Sequence, residues 1–192
     1  RDIRIFPIFE GANDVLRVFI ALSGLKPLVD ELSDLQEIDL SQPIHSLGVL
    51  ADYVSGRLRR EVRPDRLSRV HPDLQPLADP ISDQVQRLRA ASERLLRQHG
   101  KGIQDEQRQL KRLAHAAMDI FAQAATVSRA SDVLTRGLST APFEEQYIAE
   151  TFCTRAARRV ERCLDQIAEN DDERMHRIAR AAYAHRGYRH TI

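Results

Sequence analysis

The 192-residue sequence predicts an all-α fold, a bundle of long antiparallel helices. Apolar residues recur every three or four positions in several long segments, which is the period of a helix with one buried face. No segment shows the alternation of apolar and polar residues that is typical of a half-buried strand. Glycine and proline fall between the periodic segments, where helices commonly start or stop.

The first half of the chain predicts two helices and a long connector. The first helix is expected to begin at Asn13 or Asp14, which suit an N-cap, and to weaken at Gly24 and Pro27 before it ends near residue 32. Prolines at 64, 72, 76 and 80 predict an extended, irregular connector. Between these segments a second, amphipathic helix is expected, with an apolar stripe of Ile44, Leu47, Ala51, Val54 and Leu58.

The second half predicts four more helices. They are expected over about 82–98, from about 110 to Gly137, over about 143–169 and from Asp172 to about 185. In the longest of these, Phe121 is expected to widen the buried stripe, and Ile148 is expected to be buried in the next helix.

Composition excludes several classes of function. The formal net charge of +1 is too small to indicate a nucleic-acid partner. No apolar run is long enough for a spanning helix, and no signal peptide opens the sequence. Cys153 and Cys163 lie about 15 Å apart along one predicted helix, beyond disulfide reach. The seven histidines do not form an i, i+4 metal-binding pair, so no metal site is expected.

One carboxylate stands out near the start of the chain, in the stretch FPIFEGAND. Glu10 follows an apolar run that includes Phe6 and Phe9, and desolvation there would raise the pKa of its carboxyl group. A carboxylate with a raised pKa is better suited to remove a weakly acidic proton from carbon. Gly11 permits close approach of a ligand, and the N–H groups that open the next helix can face an anion such as a pyrophosphate. Alternatively, the helix dipole simply favours an acidic residue at this position. The residues alone leave both interpretations open.

Three segments resemble the acyl-CoA dehydrogenase family. Residues 4–24, RIFPIFEGANDVLRVFIALSG, resemble the segment that carries the catalytic glutamate of these enzymes. Residues 110–137 and 147–164 resemble the additional C-terminal helical region of the very-long-chain members and their close paralogue. The resemblance covers nearly the whole chain.

The resemblance implies a role for each residue of the first motif. Glu10 would remove the α-proton of a fatty acyl thioester, and Gly11 would lie beside the substrate. Ala12, Asn13 and Asp14 would contact FAD. The family usually has threonine in place of Ala12, so the resemblance implies that a hydroxyl contact would be lost, which would weaken FAD binding by roughly 1 kcal/mol without abolishing it.

The resemblance also implies an organisation and a reaction. Residues 1–32 would end the catalytic helical domain, residues 33–80 would form the amphipathic helix and connector, and residues 81–192 would form the additional helical domain. The implied enzyme oxidises long-chain acyl-CoA to trans-2-enoyl-CoA in fatty acid β-oxidation, as a homodimer that passes electrons to an electron-transfer flavoprotein. It would work in a bacterial cytoplasm or a mitochondrial matrix. The 192 residues alone, without the upstream domains, are expected to be inactive.

The amphipathic segment suggests a second kind of contact. Arg57, Arg59 and Arg60 follow its apolar stripe, a pattern that suits an anionic membrane surface at the inner membrane. The stripe would alternatively pack against the bundle or a second subunit. A different class of function also stays open, in which the chain is a non-catalytic helical module for interaction, dimerisation or membrane docking.

Overall fold

The computed structural model describes residues 2–5, 7–8, 12–36, 66–138 and 140–187. These residues form helices and connections without any strand, so the all-α prediction is confirmed. Short 3₁₀ helices cover Asp2–Ile5, Pro72–Leu74 and Gly100–Asp105. The α-helices are α1 (Asn13–Gln36), α2 (Gln75–His99), α3 (Gln107–Arg136), α4 (Pro142–Ala168) and α5 (Asp172–Ala184).

Helix α1 is continuous through the positions that were expected to weaken it. Pro27 lacks an N–H group, so the carbonyl of Ser23 loses its partner in the helix. Both residues are exposed, and water can replace that bond. Burial of Ala21 and Leu25 on the opposite face stabilises the helix across the proline.

Helix α2 begins earlier than the sequence indicated, and the prediction of an irregular connector as far as residue 80 is wrong over 75–80. Pro76 lies in the first turn, where a missing N–H group costs nothing, while Pro80 lies inside the helix. Leu74, Ala78 and Ile81 are buried along one side, and this packing outweighs the bond lost at Pro80. The predicted amphipathic helix over 44–58 lies outside the described residues.

Helices α3 and α4 form an antiparallel hairpin at the centre of the molecule. Asp119 in the middle of α3 pairs with Arg159 of α4 at 2.6 Å, whereas Arg129 near the end of α3 pairs with Glu145 near the start of α4, also at 2.6 Å. The pairing therefore runs in opposite directions. As predicted, α3 ends at Gly137, whose φ of +62° is readily adopted by glycine.

The core lies where α2, α3 and α4 meet, and α1 packs against α3. The largest fully buried apolar side chains are Leu74, Leu95, Leu110, Val127 and Val160. The predicted burial of Phe121 and Ile148 is wrong, because these residues are 75% and 61% exposed. Each was assigned by the helical period, but its helix turns it just outside the face that α3 and α4 bury against each other.

Candidate functional site

The candidate site is the start of α1, immediately after the predicted base. Glu10 and Gly11 lie outside the described residues, as do Arg57, Arg59 and Arg60. The three residues expected to contact FAD are described. The carbonyl of Ala12 accepts the first hydrogen bond of the helix from the N–H of Leu16, at 3.0 Å. The N–H of Asn13 donates to the carbonyl of Pro7 at 3.2 Å, so Pro7 lies beside the helix start.

The first turn of α1 presents groups that suit an anion. The N–H groups of Asp14 and Val15 precede the first i→i−4 bond, so helix geometry gives them no partner within the helix. They lie at the positive end of the helix dipole, and Ala12 beside them is exposed. A phosphate group is the kind of ligand that such a helix start binds.

Four side chains surround this turn, and we call Asp14, Arg17, Lys111 and His115 the helix-start cluster. Arg17 donates to the Asp14 carboxylate at 2.7 Å, and the Lys111 ammonium of α3 lies 3.6 Å from the same oxygen. The Arg17 hydrogen bond, followed by the Lys111 charge, lowers the pKa of Asp14. The carboxylate is therefore ionised at neutral pH and connects α1 to α3.

His115 adds a neutral group to the cluster. Partial burial lowers its pKa, and the positive charges of Arg17 and Lys111 lower it further. The imidazole therefore carries no charge at neutral pH, and the charged members are two cations and one carboxylate. Sequence reasoning missed the contribution of Lys111 and His115. They lie about a hundred residues after Asp14, and only the packing of α1 on α3 brings them together.

Helix α1 is apolar on both of its long faces. Ala21 and Leu25 are buried against the rest of the described molecule. On the other side, Val15 and Phe19 are 64% and 67% exposed, and Leu16 and Ile20 extend the same apolar surface. A helix that is apolar all round is typical of a position between two packed layers. The described residues supply one of these layers.

Comparison with known proteins places this architecture in a family. Residues 72–188, more than half of the chain, match the family described as ACAD9/ACADV, C-terminal domain. The chain belongs to this family. The resemblance of its helical region to the very-long-chain acyl-CoA dehydrogenases is confirmed, and it is an acyl-CoA dehydrogenase C-terminal domain.

The individual relatives of the chain support the same family assignment. The chain is 36% identical over 177 residues to the very long-chain specific acyl-CoA dehydrogenase, mitochondrial, of Rattus norvegicus, covering 90% of this chain and 27% of that protein. The proteins of the same name from Macaca fascicularis and Homo sapiens are 37% and 38% identical, over 94% and 83% of this chain and 28% and 25% of their own lengths. The chain thus spans about a quarter of the length of the curated relatives that it matches. Among the described helices, none has the length and apolar character needed to cross a membrane.

Proposed function

We propose that this chain is the C-terminal part of an FAD-dependent acyl-CoA dehydrogenase that oxidises long-chain fatty acyl-CoA to trans-2-enoyl-CoA in fatty acid β-oxidation. The observation that carries the proposal is the 36–38% identity of the chain to very long-chain specific acyl-CoA dehydrogenases over most of its length. The two-sided apolar surface of α1 supports a position beside further domains. This helix follows Glu10 by three positions, packs on the family domain through Ala21 and Leu25, and leaves Val15 and Phe19 exposed. In a protein about four times as long, the second face packs against the upstream catalytic domains.

The residues proposed to act on the substrate lie just before this helix. Glu10 is the base that removes the α-proton of the acyl thioester, and an apolar setting suits it because a raised carboxyl pKa matches a base to a weak carbon acid. Gly11 allows the thioester to approach the backbone closely. FAD, when bound, supplies the hydride acceptor for the β-carbon.

The start of α1 fits the phosphate end of that cofactor. Ala12, Asn13 and Asp14 are the proposed contact residues, and the N–H groups of Asp14 and Val15, which have no partner within the helix, are suited to the pyrophosphate. The Asp14 carboxylate itself is held by Arg17 and Lys111, so we assign these contacts to the backbone rather than to that carboxylate. Replacement of the family threonine by Ala12 leaves such backbone contacts intact.

The remaining proposals concern the partners of the protein and its location in the cell. The relatives are named as mitochondrial proteins, which supports a mitochondrial matrix or an equivalent bacterial cytoplasmic setting. A homodimer, an electron-transfer flavoprotein as acceptor and peripheral membrane contact through Arg57, Arg59 and Arg60 follow from the family resemblance and the charge pattern.

The catalytic proposal is tested with the longer parent polypeptide, as the intact protein and as Glu10→Gln. Palmitoyl-CoA is added anaerobically, and the flavin absorbance is followed. The intact protein is expected to bleach, whereas Glu10→Gln is expected to retain flavin and to bleach at least 100-fold more slowly, because general base catalysis is worth about 10²–10⁴-fold. Glu144→Gln, which makes the same change at an exposed position of α4, is the matched control and is expected to bleach normally.

Two results would reject the proposal. If Glu10→Gln bleaches as fast as the intact protein, Glu10 is not the base. If the parent binds no flavin, the dehydrogenase assignment fails, and the domain is then better explained as a non-catalytic interaction module.

A further inference from the structure

A groove of about 700 Å³ lies between α2 and α4, away from the helix-start cluster. Pro76, Leu77 and Pro80 form the α2 wall, and Thr154 and Ala157 belong to the α4 wall. The volume is within the range of small-molecule sites, and the two walls are mostly apolar. Along α4 the lining extends from Cys153 to Gln166, a distance of about 20 Å at 1.5 Å per residue.

The floor of the groove is fixed and uncharged. Gln123, which is 1% exposed, donates from Nε2 to Oε1 of Gln84 at 2.8 Å and to the carbonyl of Asp119 at 3.2 Å. The Cys153 Sγ lies 4.0 Å from the Gln123 carbonyl oxygen, and burial raises the pKa of this thiol, so it stays neutral. The floor therefore accommodates an apolar group and offers no countercharge to an ion.

The rim carries Arg158 and Arg162 together with the carboxylates of Glu161 and Asp165. With Arg87 of α2, which lies near both carboxylates, these three cations and two anions leave one net positive charge. Arg158 and Arg162 lie one turn apart on α4, both are exposed, and neither forms an ion pair with another described residue. The acidic neighbours are already engaged, because Arg87 of α2 pairs with Glu161 and also lies 3.4 Å from Asp165. Two guanidinium groups are thus available to an anion at the edge of an apolar groove.

We infer that this groove binds a single-chain anionic amphiphile. Its alkyl chain lies along Leu77, Pro80 and Ala157, and its carboxylate or phosphate head pairs with Arg158 and Arg162. The elongated shape favours an extended chain, and the charge at the rim selects an anionic head over a neutral one. The described lining residues of this site belong to α2, α3 and α4, and its test does not depend on the proposed catalysis.

Calorimetric titration of the 192-residue chain tests the inference. The probes are dodecanoate, dodecyl phosphate, dodecanol and acetate, each below its aggregation limit. One equivalent of either anionic amphiphile is expected to bind, dodecanol at least tenfold more weakly, and acetate without detectable heat. The comparison of dodecanoate with dodecyl phosphate shows which head the two arginines prefer.

Variants separate the groove from non-specific binding. Arg158→Glu with Arg162→Glu is expected to weaken dodecanoate binding at least tenfold, whereas Arg94→Glu with Arg180→Glu, a matched change at exposed positions outside the groove, is expected to leave it unchanged. Ala157→Phe fills the groove and is expected to abolish binding, with circular dichroism as the check on folding.

The inference is overturned if the wild-type chain binds no anionic amphiphile or binds several equivalents without saturation. It is equally overturned if dodecanoate binds the Arg158 and Arg162 variant as tightly as the wild type. Should Ala157→Phe disturb folding, Thr154→Phe at an exposed position of the same wall replaces it, and undiminished binding to a folded Thr154→Phe protein also refutes the site.

Discussion

Asp172→Asn is expected to release α5 from the bundle without unfolding the rest of it. No residue of α5 is buried, so its own packing provides little stabilisation. Instead, the Asp172 carboxylate accepts hydrogen bonds from Arg112 of α3, at 2.5 and 2.8 Å, and its backbone carbonyl accepts one from Arg108 at 3.2 Å. The side chains of Asp172 and Arg112 are only 18% and 17% exposed, so water screens their interaction weakly.

The expected magnitude follows from these contacts. Hydrogen bonds to charged groups each contribute about 1.5–3 kcal/mol, and asparagine retains the shape but loses the charge and part of this pairing. We expect local opening of α5 to become about 2 kcal/mol easier, which is about a 30-fold increase in the open population. The buried core of α2, α3 and α4 is unchanged, so the melting temperature of the bundle should hardly move.

Hydrogen exchange followed by mass spectrometry measures this directly. Peptides from α5 should exchange about 30-fold faster in Asp172→Asn, while peptides from the middle of α4 keep their wild-type protection. Glu173→Gln makes the same charge change one residue later, where the partner is Arg177 within α5 at 2.9 Å, and should have little effect.

Lowering the pH should weaken the attachment of α5 in the same way as Asp172→Asn. The Arg112 hydrogen bond lowers the pKa of Asp172 from its ordinary value of 3.8, so the pair contributes fully above that value and is lost as the pH falls through the lowered pKa. Protection of α5, corrected for intrinsic exchange, should therefore be constant from about pH 5 to 7 and fall only below about 3.8. The reasoning is refuted if α5 exchanges at the same rate in Asp172→Asn as in Glu173→Gln, or if α4 loses protection to the same extent as α5.

Two further predictions concern the buried amide pair and the predicted membrane segment. Gln84→Leu removes one of the two acceptors of the buried Gln123 amide, the other being the Asp119 carbonyl, and should lower the free energy of unfolding in urea by about 1–3 kcal/mol. The double variant, Gln84→Leu with Gln123→Leu, should recover much of this loss, and equal losses in both variants would contradict this. Flotation of the chain with vesicles that contain anionic lipid should decrease when Arg57, Arg59 and Arg60 are changed to glutamate, and unchanged flotation would reject the membrane contact.

The periodicity of the sequence was sufficient to predict most of the helices. Helices α3, α4 and α5 lie within a few residues of their predicted bounds, because each ends at a glycine or a turn, and α3 and α4 also have a buried face at helical spacing. Proline breaks the helices of this chain less than the sequence pattern predicts. Pro27 and Pro80 are both inside helices, since each removes one hydrogen bond on an exposed face while the opposite face gains burial.

Long-range packing accounts for what the sequence did not reveal. The period shows which face of a helix is apolar but not which part of that face a neighbour covers, and this is why Phe121 and Ile148 are exposed. The motif around Glu10 predicted a candidate base and cofactor contacts from local sequence. The approach of Lys111 to Asp14 depends on how α1 and α3 pack, and no local pattern contains that information.

The packing of α1 gives the C-terminal domain a physical role in the proposed enzyme. A base must be held to within a fraction of an ångström of the bond that it attacks, and a 1 Å displacement costs about 100-fold in rate. Glu10 precedes α1 by three residues, and α1 is held on this domain by the burial of Ala21 and Leu25 and by the contact between Asp14 and Lys111. If upstream domains pack on the exposed face of Val15 and Phe19, α1 is clamped between two layers. In the proposed enzyme, the additional domain would then affect catalysis without touching the substrate, by fixing the helix that follows the proposed catalytic segment.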